Sequence, residues 1–543
     1  MSVQTQTQAR QPHLDVRKLL ARAEGARRAG DITGAARDYG TVLSRFPGNP
    51  RARKALAAIG PSAASILADK AQQCQQARQL DAAAQHWAEA VALRPEHAGL
   101  GISLCRCLLD MGRSNAALEA VNTVLQHNPQ DPVALDTKGC ILRDLGRLDA
   151  ARDCHIAAMQ HDGDRAGPLN HLGIIAQANG DMQQAADHFT RAIALSPDIV
   201  SLHHNLAGCK TYTPDDPHLS QMQEILARRR KDDPELAALH FALFKALDDT
   251  GDTDAAFAHL LQGNQLRKAA SEFDIAQEAQ RFAWYKSLLP DPPKALAPDL
   301  IAAPRPVFVV GLPRSGTTLV ERILSQSDDT QPAGELSVVP NAVAPLLRRL
   351  QGENRPAPSR DDLLELRARI VAGLGRHSDG SAVLIDKMPL NFRWVGLICA
   401  AMPEARIVSL RRAPMPVAWS LFRHMFSSPG NGFAYGMADI AAYMLLHRDM
   451  MRFWSDRFGA QIVDLAYADL VTDTERTIRR LIAACDLNWT EACLAPQTAD
   501  APVLTASAGQ VRRGIYRNSD QSWRKYQTQL SPLATALRAA GLS

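Results

Sequence analysis

The hydrophobic and polar positions follow two different patterns, one in each half of the chain. In the first half, helical stretches of small and apolar residues are interrupted at regular steps, and Gly112, Gly146 and Gly180 stand 34 residues apart. Helix-ending residues repeat with the same step: Pro95, Pro129, Gly163 and Pro197. In the second half, short runs rich in β-branched residues alternate with helical stretches. The two patterns predict a helical repeat array followed by an α/β domain.

Each repeat reads as a helix, a turn and a second helix. The turn glycine is followed by paired small residues that let the two helices approach closely: Ala116/Ala117, Ala150/Ala151 and Ala185/Ala186. Arg78 stands where one glycine is missing, and an earlier copy at Gly30 is out of register by roughly fourteen residues. The pattern resembles the tetratricopeptide repeat, with about five copies over residues 15–200. That resemblance implies an all-α solenoid whose concave surface binds a protein or peptide.

Composition shifts along the chain predict the remaining boundaries. Residues 1–14 form a polar, flexible N-terminus, and residues 201–290 form a helical extension with a divergent repeat at Gly251. Six prolines between positions 290 and 306 mark a linker at 291–305, before a second domain at 306–543.

Four apolar runs in this second domain predict buried parallel strands: residues 306–311, 382–386, 406–410 and 461–467. Parallel strands alternating with helices imply a sheet covered on both faces. In such open sheets, ligands bind outside the carboxyl ends of the strands.

The first of these runs leads directly into GLPRSGTT, residues 311–318, and then into a predicted helix. A strand, a glycine loop and a helix N-terminus together make a phosphate cradle, because unpaired N–H groups and the helix dipole favour an anion. Gly311 and Gly316 have the spacing of a Walker A loop, yet Thr317 stands where that loop has lysine. A role in ATP hydrolysis is therefore disfavoured.

The segment PVFVVGLPRSGTTLVERIL resembles the 5′-phosphosulfate loop of sulfotransferases that use 3′-phosphoadenosine 5′-phosphosulfate (PAPS). With the repeats in front, the chain resembles the bacterial tetratricopeptide-repeat sulfotransferases, whose catalytic domain is similar to that of the tyrosylprotein sulfotransferases. The resemblance implies a P-loop-like α/β domain with a parallel sheet, PAPS as cosubstrate and no metal. It also implies that Arg314 contacts the sulfuryl oxygens. The 5′-phosphate would be held by the rest of the loop: Ser315, Gly316, Thr317 and Thr318.

The same resemblance places further cosubstrate contacts at later strand ends. Arg412 and Ser420 match the pair that holds the 3′-phosphate, with neighbouring Arg411 as a rival for the role of Arg412. Tyr467 matches a tyrosine that packs near the cosubstrate, although a core tyrosine is an equal alternative. Ser507 matches a serine in a C-terminal segment that closes over PAPS, and the resemblance implies that Ser507 also helps to stabilise the sulfuryl oxygens and the departing phosphate.

Two residues match catalytic positions of the family. Glu335 matches a proposed general base, which the reaction needs because the acceptor hydroxyl loses its proton as the new bond to sulfur forms. Its alternative is a simple ion pair with Arg314. Lys387 matches a lysine that stabilises charge on the bridging oxygen and the transferring sulfuryl group, and its alternative is an exposed strand-end lysine.

Charge and composition exclude several other classes. The 543 residues contain 61 Lys and Arg against 57 Asp and Glu, and only 5% are aromatic, which argues against a dedicated nucleic-acid binder. Nine cysteines without a CxxC pair, and histidines without an HExxH spacing, predict neither a disulfide scaffold nor a metal site. The polar N-terminus lacks a signal peptide and no apolar run reaches about 20 residues, so a cytoplasmic protein is expected.

The resulting hypothesis is a PAPS-dependent sulfotransferase that acts on an acceptor hydroxyl. A protein tyrosine, a saccharide and a small hydroxyl compound all stay open as acceptors. Two other classes also stay open: a catalytically degenerate repeat scaffold, motivated by Ala413 where the family commonly has aspartate, and a nucleotide-dependent phosphotransferase.

Overall fold

The computed structural model describes residues 16–163, 165–291, 296, 304–427, 430–498 and 521–542. The chain divides into two compact units, Met1–Ile175 and Ala176–Ser543. The predicted flexible N-terminus and most of the predicted linker lie outside the described residues, so those boundaries stay predictions.

The described residues between positions 16 and 195 form helices joined by short turns, which confirms the predicted repeat architecture. Its helices are α1 (Val16–Arg28), α2 (Ile32–Arg45), α3 (Pro50–Gln76), α4 (Leu80–Leu93), α5 (Ala98–Asp110), α6 (Ser114–His127), α7 (Pro132–Asp144), α8 (Leu148–Asp162), α9 (Ala166–Asn179) and α10 (Met182–Leu195). The turn glycines adopt positive φ, as at Gly112 (67°) and Gly146 (75°). Arg78 takes the same conformation with φ of 56°, so the turn forms there without glycine.

The register shift near the N-terminus has a simple structural cause. Helix α3 has 27 residues, whereas the corresponding helices α5 and α7 have 13 each. The 14 additional residues lengthen one helix and leave its turn intact. The helix carries Pro61 in its interior.

Five further helices precede the sheet: α11 (Val200–Ala207), α12 (Pro217–Arg228), α13 (Leu236–Thr250), α14 (Thr253–Ala269) and α15 (Ile275–Ser287). Phe257 and Leu260 of α14 and Phe282 of α15 belong to the hydrophobic core that covers one face of the sheet. The side-chain amide of Asn264 also donates a 3.0 Å hydrogen bond to the carbonyl of Phe422. Burial of this apolar surface holds α14 and α15 against the sheet within one compact unit.

The described part of the second unit contains a parallel sheet, as predicted, and this sheet has five strands where the apolar runs indicated four. Its strands are β1 (Arg305–Gly311), β2 (Thr330–Pro332), β3 (Val383–Asp386), β4 (Arg406–Arg411) and β5 (Ile462–Ala466), in the order β2-β3-β1-β4-β5. The intervening and following helices are α16 (Thr317–Leu324), α17 (Val338–Gly352), α18 (Arg360–Gly375), α19 (Val395–Ala401), α20 (Pro414–Phe422), α21 (Met437–Phe458), α22 (Tyr467–Thr472), α23 (Thr474–Ala484) and α24 (Ser531–Ala539).

Both faces of the sheet are buried, and β1 shows why. Phe308 and Val310 face one hydrophobic core, while Val307 and Val309 face the other. Because alternate side chains point to opposite faces, a run apolar at every position is stable only between two layers of helices. Within the described residues, no helix is long and apolar enough to span a membrane.

Candidate functional site

The carboxyl ends of all five strands meet at one edge of the sheet, and this edge carries the predicted site residues. The glycine loop follows β1, Glu335 follows β2, Lys387 follows β3, Arg412 follows β4 and Tyr467 follows β5. Parallel pairing of neighbouring strands places these five segments side by side. Ser507 lies outside the described residues.

The glycine loop has the geometry of an anion cradle. Arg314 and Gly316 have φ of 68° and 111°, which turn the chain sharply between β1 and α16. The Ser315 hydroxyl donates a 2.7 Å hydrogen bond to the carbonyl of Leu312 and fixes the turn. Helix α16 then begins at Thr317 without a side-chain hydrogen bond at its N-cap, and the positive end of its dipole lies at the glycine loop.

Tyr467 packs against this loop. Its ring lies against Gly316, where an added Cβ would come within 2.9 Å of two ring carbons. The guanidinium of Arg412 lies on the same ring, 4.1 Å from its centroid. This stacking orients a cation beside the glycine loop.

Gly316→Ala is expected to lower the free energy of unfolding by about 1–3 kcal/mol, because alanine at φ of 111° is strained and its Cβ meets Tyr467. The variant should also lose binding of adenosine 3′,5′-bisphosphate, the product that PAPS would leave after sulfuryl transfer, as measured by calorimetry. Gly375→Ala is the matched control, since a Cβ there meets nothing within 4 Å. Wild-type binding by Gly316→Ala would show that the loop does not hold the nucleotide.

The two candidate arginines at the carboxyl end of β4 have different partners. Arg411 pairs with Asp464 of β5, with its Nε 2.7 Å from Oδ1 of Asp464, and both side chains are more than half exposed. Arg412 instead donates a 3.4 Å hydrogen bond to the carbonyl of Arg314 in the glycine loop. The structure therefore places Arg412 at the glycine loop, whereas Arg411, at the end of β4, is paired with the edge strand β5.

Arg314 contacts Ser420, the other residue predicted for the 3′-phosphate site. Its Nε donates a 3.1 Å hydrogen bond to the hydroxyl of Ser420 on α20. Nearby His424 is partly buried, and its desolvation together with the charge of Arg314 lowers the pKa of the imidazole to about 3. His424 is thus neutral at physiological pH, and the positive charge at this position comes from the arginines.

Glu335 and Lys387 contact each other directly. The Nζ of Lys387 lies 2.6 Å from Oε1 of Glu335, and the lysine side chain is fully buried while the glutamate is 39% exposed. The alternatives of an exposed Lys387 and of a Glu335–Arg314 pair do not match this geometry. A buried ammonium beside an accessible carboxylate combines a proton acceptor with a fixed positive charge.

Two buried carboxyl groups hold the segment that carries Glu335. Glu321 of α16 accepts a 2.9 Å hydrogen bond from the backbone N–H of Gly334, and Asp386 of β3 accepts one of 3.4 Å from the N–H of Leu336. The amides on both sides of Glu335 are therefore tied to carboxyl groups from two different elements. Burial raises the pKa of both groups, for Asp386 to about 8.

This raised pKa makes stability depend on pH in a defined direction. The ordinary pKa of Asp386 is 3.8, so between about pH 4 and 8 the folded protein binds a proton that the unfolded chain releases. Its contribution to stability is fully present below about pH 4 and is lost as the pH rises toward 8.

Asp386→Asn is expected to remove this contribution and to gain stability relative to the wild type as the pH rises, by at most about 1.4 kcal/mol per pH unit. Urea unfolding at several values between pH 5 and 8 measures the difference. Asp456→Asn, an exposed position on α21, is the control and should follow the wild type. A constant difference between Asp386→Asn and wild type across this range would contradict the raised pKa.

The sequence-based interpretation missed Glu321 and Asp386. Glu321 stands beside Arg322 in the mostly apolar LVERIL, Asp386 ends the apolar run VLID, and both acidic residues are buried. Such a position predicts a partnered polar group, because burying an unpaired charge is costly. The partners themselves are backbone amides in a different segment, and these are visible only in the folded chain.

Comparison with protein families agrees with the fold and the site. Residues 306–491 match the model of a sulfotransferase family, and residues 75–138 match a tetratricopeptide repeat model. The chain therefore combines a sulfotransferase-family domain with tetratricopeptide repeats, as predicted. The individual roles of the site residues stay predictions.

Two curated relatives extend the comparison. An uncharacterized protein of Aquifex aeolicus is 31% identical over 393 residues, which cover 68% of this chain and 50% of that protein. The chain thus spans about half the length of this relative. A Caenorhabditis briggsae protein named "Putative protein-tyrosine sulfotransferase" is 24% identical over 229 residues, covering 40% of this chain and 80% of that protein.

Solved structures of repeat proteins also resemble the chain. A tetratricopeptide-repeat protein of Thermus thermophilus has 16% identity and a TM-score of 0.25, covering 36% of this chain and 98% of its own. A tetratricopeptide-repeat protein of Parabacteroides merdae has 15% identity and a TM-score of 0.29, and the match covers 48% of this chain and 96% of that protein.

Proposed function

We propose that the chain is a PAPS-dependent sulfotransferase that transfers a sulfuryl group to an acceptor hydroxyl. The observation that carries the proposal is the 2.6 Å contact between Lys387 and Glu335 at the sheet edge that also carries the glycine loop. A phosphate cradle alone suits many nucleotides. Here the loop lacks the Walker lysine and lies at the same sheet edge as the accessible carboxylate of Glu335 and the buried ammonium of Lys387. This combination suits displacement at sulfur by an acceptor hydroxyl.

The residues at this edge suit a nucleotide that carries phosphate at both the 3′ and the 5′ position of its ribose. The uncapped start of α16 and the loop residues 315–318 would hold the 5′-phosphate. Arg412, stacked on Tyr467, and Ser420 would hold the 3′-phosphate, since a guanidinium and a hydroxyl both donate to a dianion. When bound, the cosubstrate supplies the sulfuryl group.

Glu335 accepts the proton of the acceptor hydroxyl as its oxygen bonds to sulfur and the bond from sulfur to the bridging phosphate oxygen breaks. Lys387 stabilises the charge that develops on the bridging oxygen, and Arg314 stabilises the sulfuryl oxygens. Adenosine 3′,5′-bisphosphate leaves. The assignment of Ser507 to the same charge stabilisation stays a prediction from the resemblance.

A protein tyrosine is the acceptor that we favour. The support is the similarity to the nematode relative named for this activity, together with repeats of a class that binds proteins or peptides. The repeats would then recruit the polypeptide whose tyrosine enters the site. We place this activity in the reducing cytoplasm, because all nine cysteines are unpaired.

An assay with radiolabelled PAPS, run beside labelled ATP, tests the proposal with tyrosyl peptides, saccharides and small hydroxyl compounds as acceptors. We expect label transfer from PAPS only, and calorimetric binding of adenosine 3′,5′-bisphosphate. Binding of that nucleotide without transfer to any hydroxyl would favour a degenerate scaffold. Transfer from ATP would indicate a phosphotransferase, and folded protein that binds no 3′,5′-bisphosphate would exclude the proposal.

A further inference from the structure

A cluster of metal-ligating side chains lies in the helical repeats, outside the site at the sheet edge. Helix α7 contributes Asp136 and Cys140, α8 contributes His155, and α9 contributes His171. The Sγ of Cys140 and one ring nitrogen from each histidine all lie within 4.8 Å of one another. The side chain of His155 is fully buried, whereas those of His171 and Asp136 are 21% and 22% exposed.

Asp136 fixes the orientation of both imidazoles. Its Oδ1 lies 2.7 Å from Nδ1 of His155 and 3.1 Å from Nδ1 of His171. Because a carboxylate only accepts hydrogen bonds, the proton of each neutral ring stands on Nδ1 and the lone pair on Nε2. In metal sites, a ligating histidine usually donates its other ring N–H to a carboxylate in this way, and the hydrogen bond fixes the orientation of the ring.

The remaining nitrogens are placed as ligands would be. Nε2 of His155 is buried and has no hydrogen-bond partner among the described residues. Sγ of Cys140 lies 3.6 Å from Nε2 of His171 and equally far from Nδ1 of the same ring. A tetrahedral Zn²⁺ at about 2.3 Å from sulfur and about 2.0 Å from nitrogen holds the sulfur and the ligating nitrogen about 3.5 Å apart.

The repeat pattern shows that His155 is exceptional at its position. One repeat before and one repeat after, the same position is occupied by Val121 and Phe189, both fully buried core residues. Gly139 makes room for the imidazole, since a Cβ there would come within 2.4 Å of Cε1 of His155. A buried imidazole with an unpartnered nitrogen is costly where a hydrophobic residue would pack, unless the nitrogen binds something.

We infer that Cys140, His155 and His171 form a Zn²⁺ site in the helical repeats, with Asp136 orienting both histidines. One thiolate and two imidazoles are ligands that suit zinc, and carboxylate-binding ions such as Mg²⁺ and Ca²⁺ take oxygen ligands instead. Three protein ligands leave a fourth position for water or another donor. The site joins three consecutive helices, α7, α8 and α9, so an ion bound there would hold neighbouring repeats together.

The test uses the full-length chain, stripped of metal by dialysis against a chelator and titrated with Co²⁺ and then with Zn²⁺. We expect one Co²⁺ per chain, with the visible absorption of a tetrahedral site and a thiolate-to-metal charge-transfer band. One equivalent of Zn²⁺ should displace it and raise the Tm of the chain. Asp136→Asn should weaken Zn²⁺ binding about 10–100-fold, since it disturbs the orientation of both rings.

Two variants separate a metal site from a hydrogen-bonded network. Cys140→Ser should lose the charge-transfer band, while Cys154→Ser, a half-buried cysteine of α8 outside the cluster, should keep it. His155→Val installs the residue of the preceding repeat and should fold with wild-type helicity by circular dichroism, yet bind no metal. Absence of stoichiometric binding by the wild type, or equal binding by Cys140→Ser and His155→Val, would overturn the inference.

Discussion

Glu335→Gln is expected to reduce sulfuryl transfer by about 10²–10⁴-fold, the range that general-base groups contribute. The amide oxygen can still accept the hydrogen bond from Lys387, whose Nζ lies 2.6 Å from the carboxylate in the wild type. The variant therefore removes the proton acceptor and keeps the neighbouring contact. Turnover with labelled PAPS and calorimetric binding of adenosine 3′,5′-bisphosphate are measured side by side, and binding should match the wild type.

A control and a second substitution make this result specific. Glu475→Gln changes an exposed carboxylate on α23 and should leave both turnover and binding as in the wild type. Glu335→Ala also removes the partner of buried Lys387, so a larger loss of stability than in Glu335→Gln is expected. If Glu335→Gln lost turnover and nucleotide binding together, the residue would be structural. Full turnover would mean that another group takes the proton.

Arg412→Ala is expected to weaken binding of adenosine 3′,5′-bisphosphate about 10–100-fold, because hydrogen bonds to a charged group are worth about 1.5–3 kcal/mol. Adenosine 5′-monophosphate, which lacks the 3′-phosphate, should bind Arg412→Ala and wild type alike. Calorimetry with both nucleotides therefore separates loss of one phosphate contact from collapse of the loop.

Arg411→Ala is the matched control on the neighbouring residue. Arg411 is exposed and pairs with Asp464 on β5, so its removal should leave binding of both nucleotides unchanged. The opposite outcome, in which Arg411→Ala weakens binding and Arg412→Ala does not, would assign the 3′-phosphate to Arg411. If Arg412→Ala weakened the binding of both nucleotides equally, this arginine would contact the adenosine or the 5′-phosphate that the two nucleotides share.

The fold was largely predictable because its signals are local. Glycine, paired alanines and proline at a step of 34 residues specify a helical hairpin from neighbouring residues alone. Four of the five strands were found from their apolar runs, and β2 was missed because it has only three residues, Thr330–Pro332. A strand so short has no periodic pattern and forms because β3 is there to pair with it.

The candidate site was predictable in location but not in detail. The loop chemistry of GLPRSGTT and the strand-end positions of Lys387 and Arg412 indicate an anion site at one edge of a parallel sheet. The resemblance favoured Arg412 over adjacent Arg411, but the sequence does not show their partners, because these depend on which residues the neighbouring strand and loop present to each arginine.

By itself, the sequence determined the repeat period, the class of the second domain and the edge at which an anion would bind, since each depends on residues close together in the chain. The tertiary structure alone decided that Lys387 is buried against Glu335, that Glu321 and Asp386 hold the segment between them, and that Cys140, His155 and His171 meet across three helices. Contacts of this kind join distant segments. They are fixed by the packing of whole elements, to which no local pattern in the sequence corresponds.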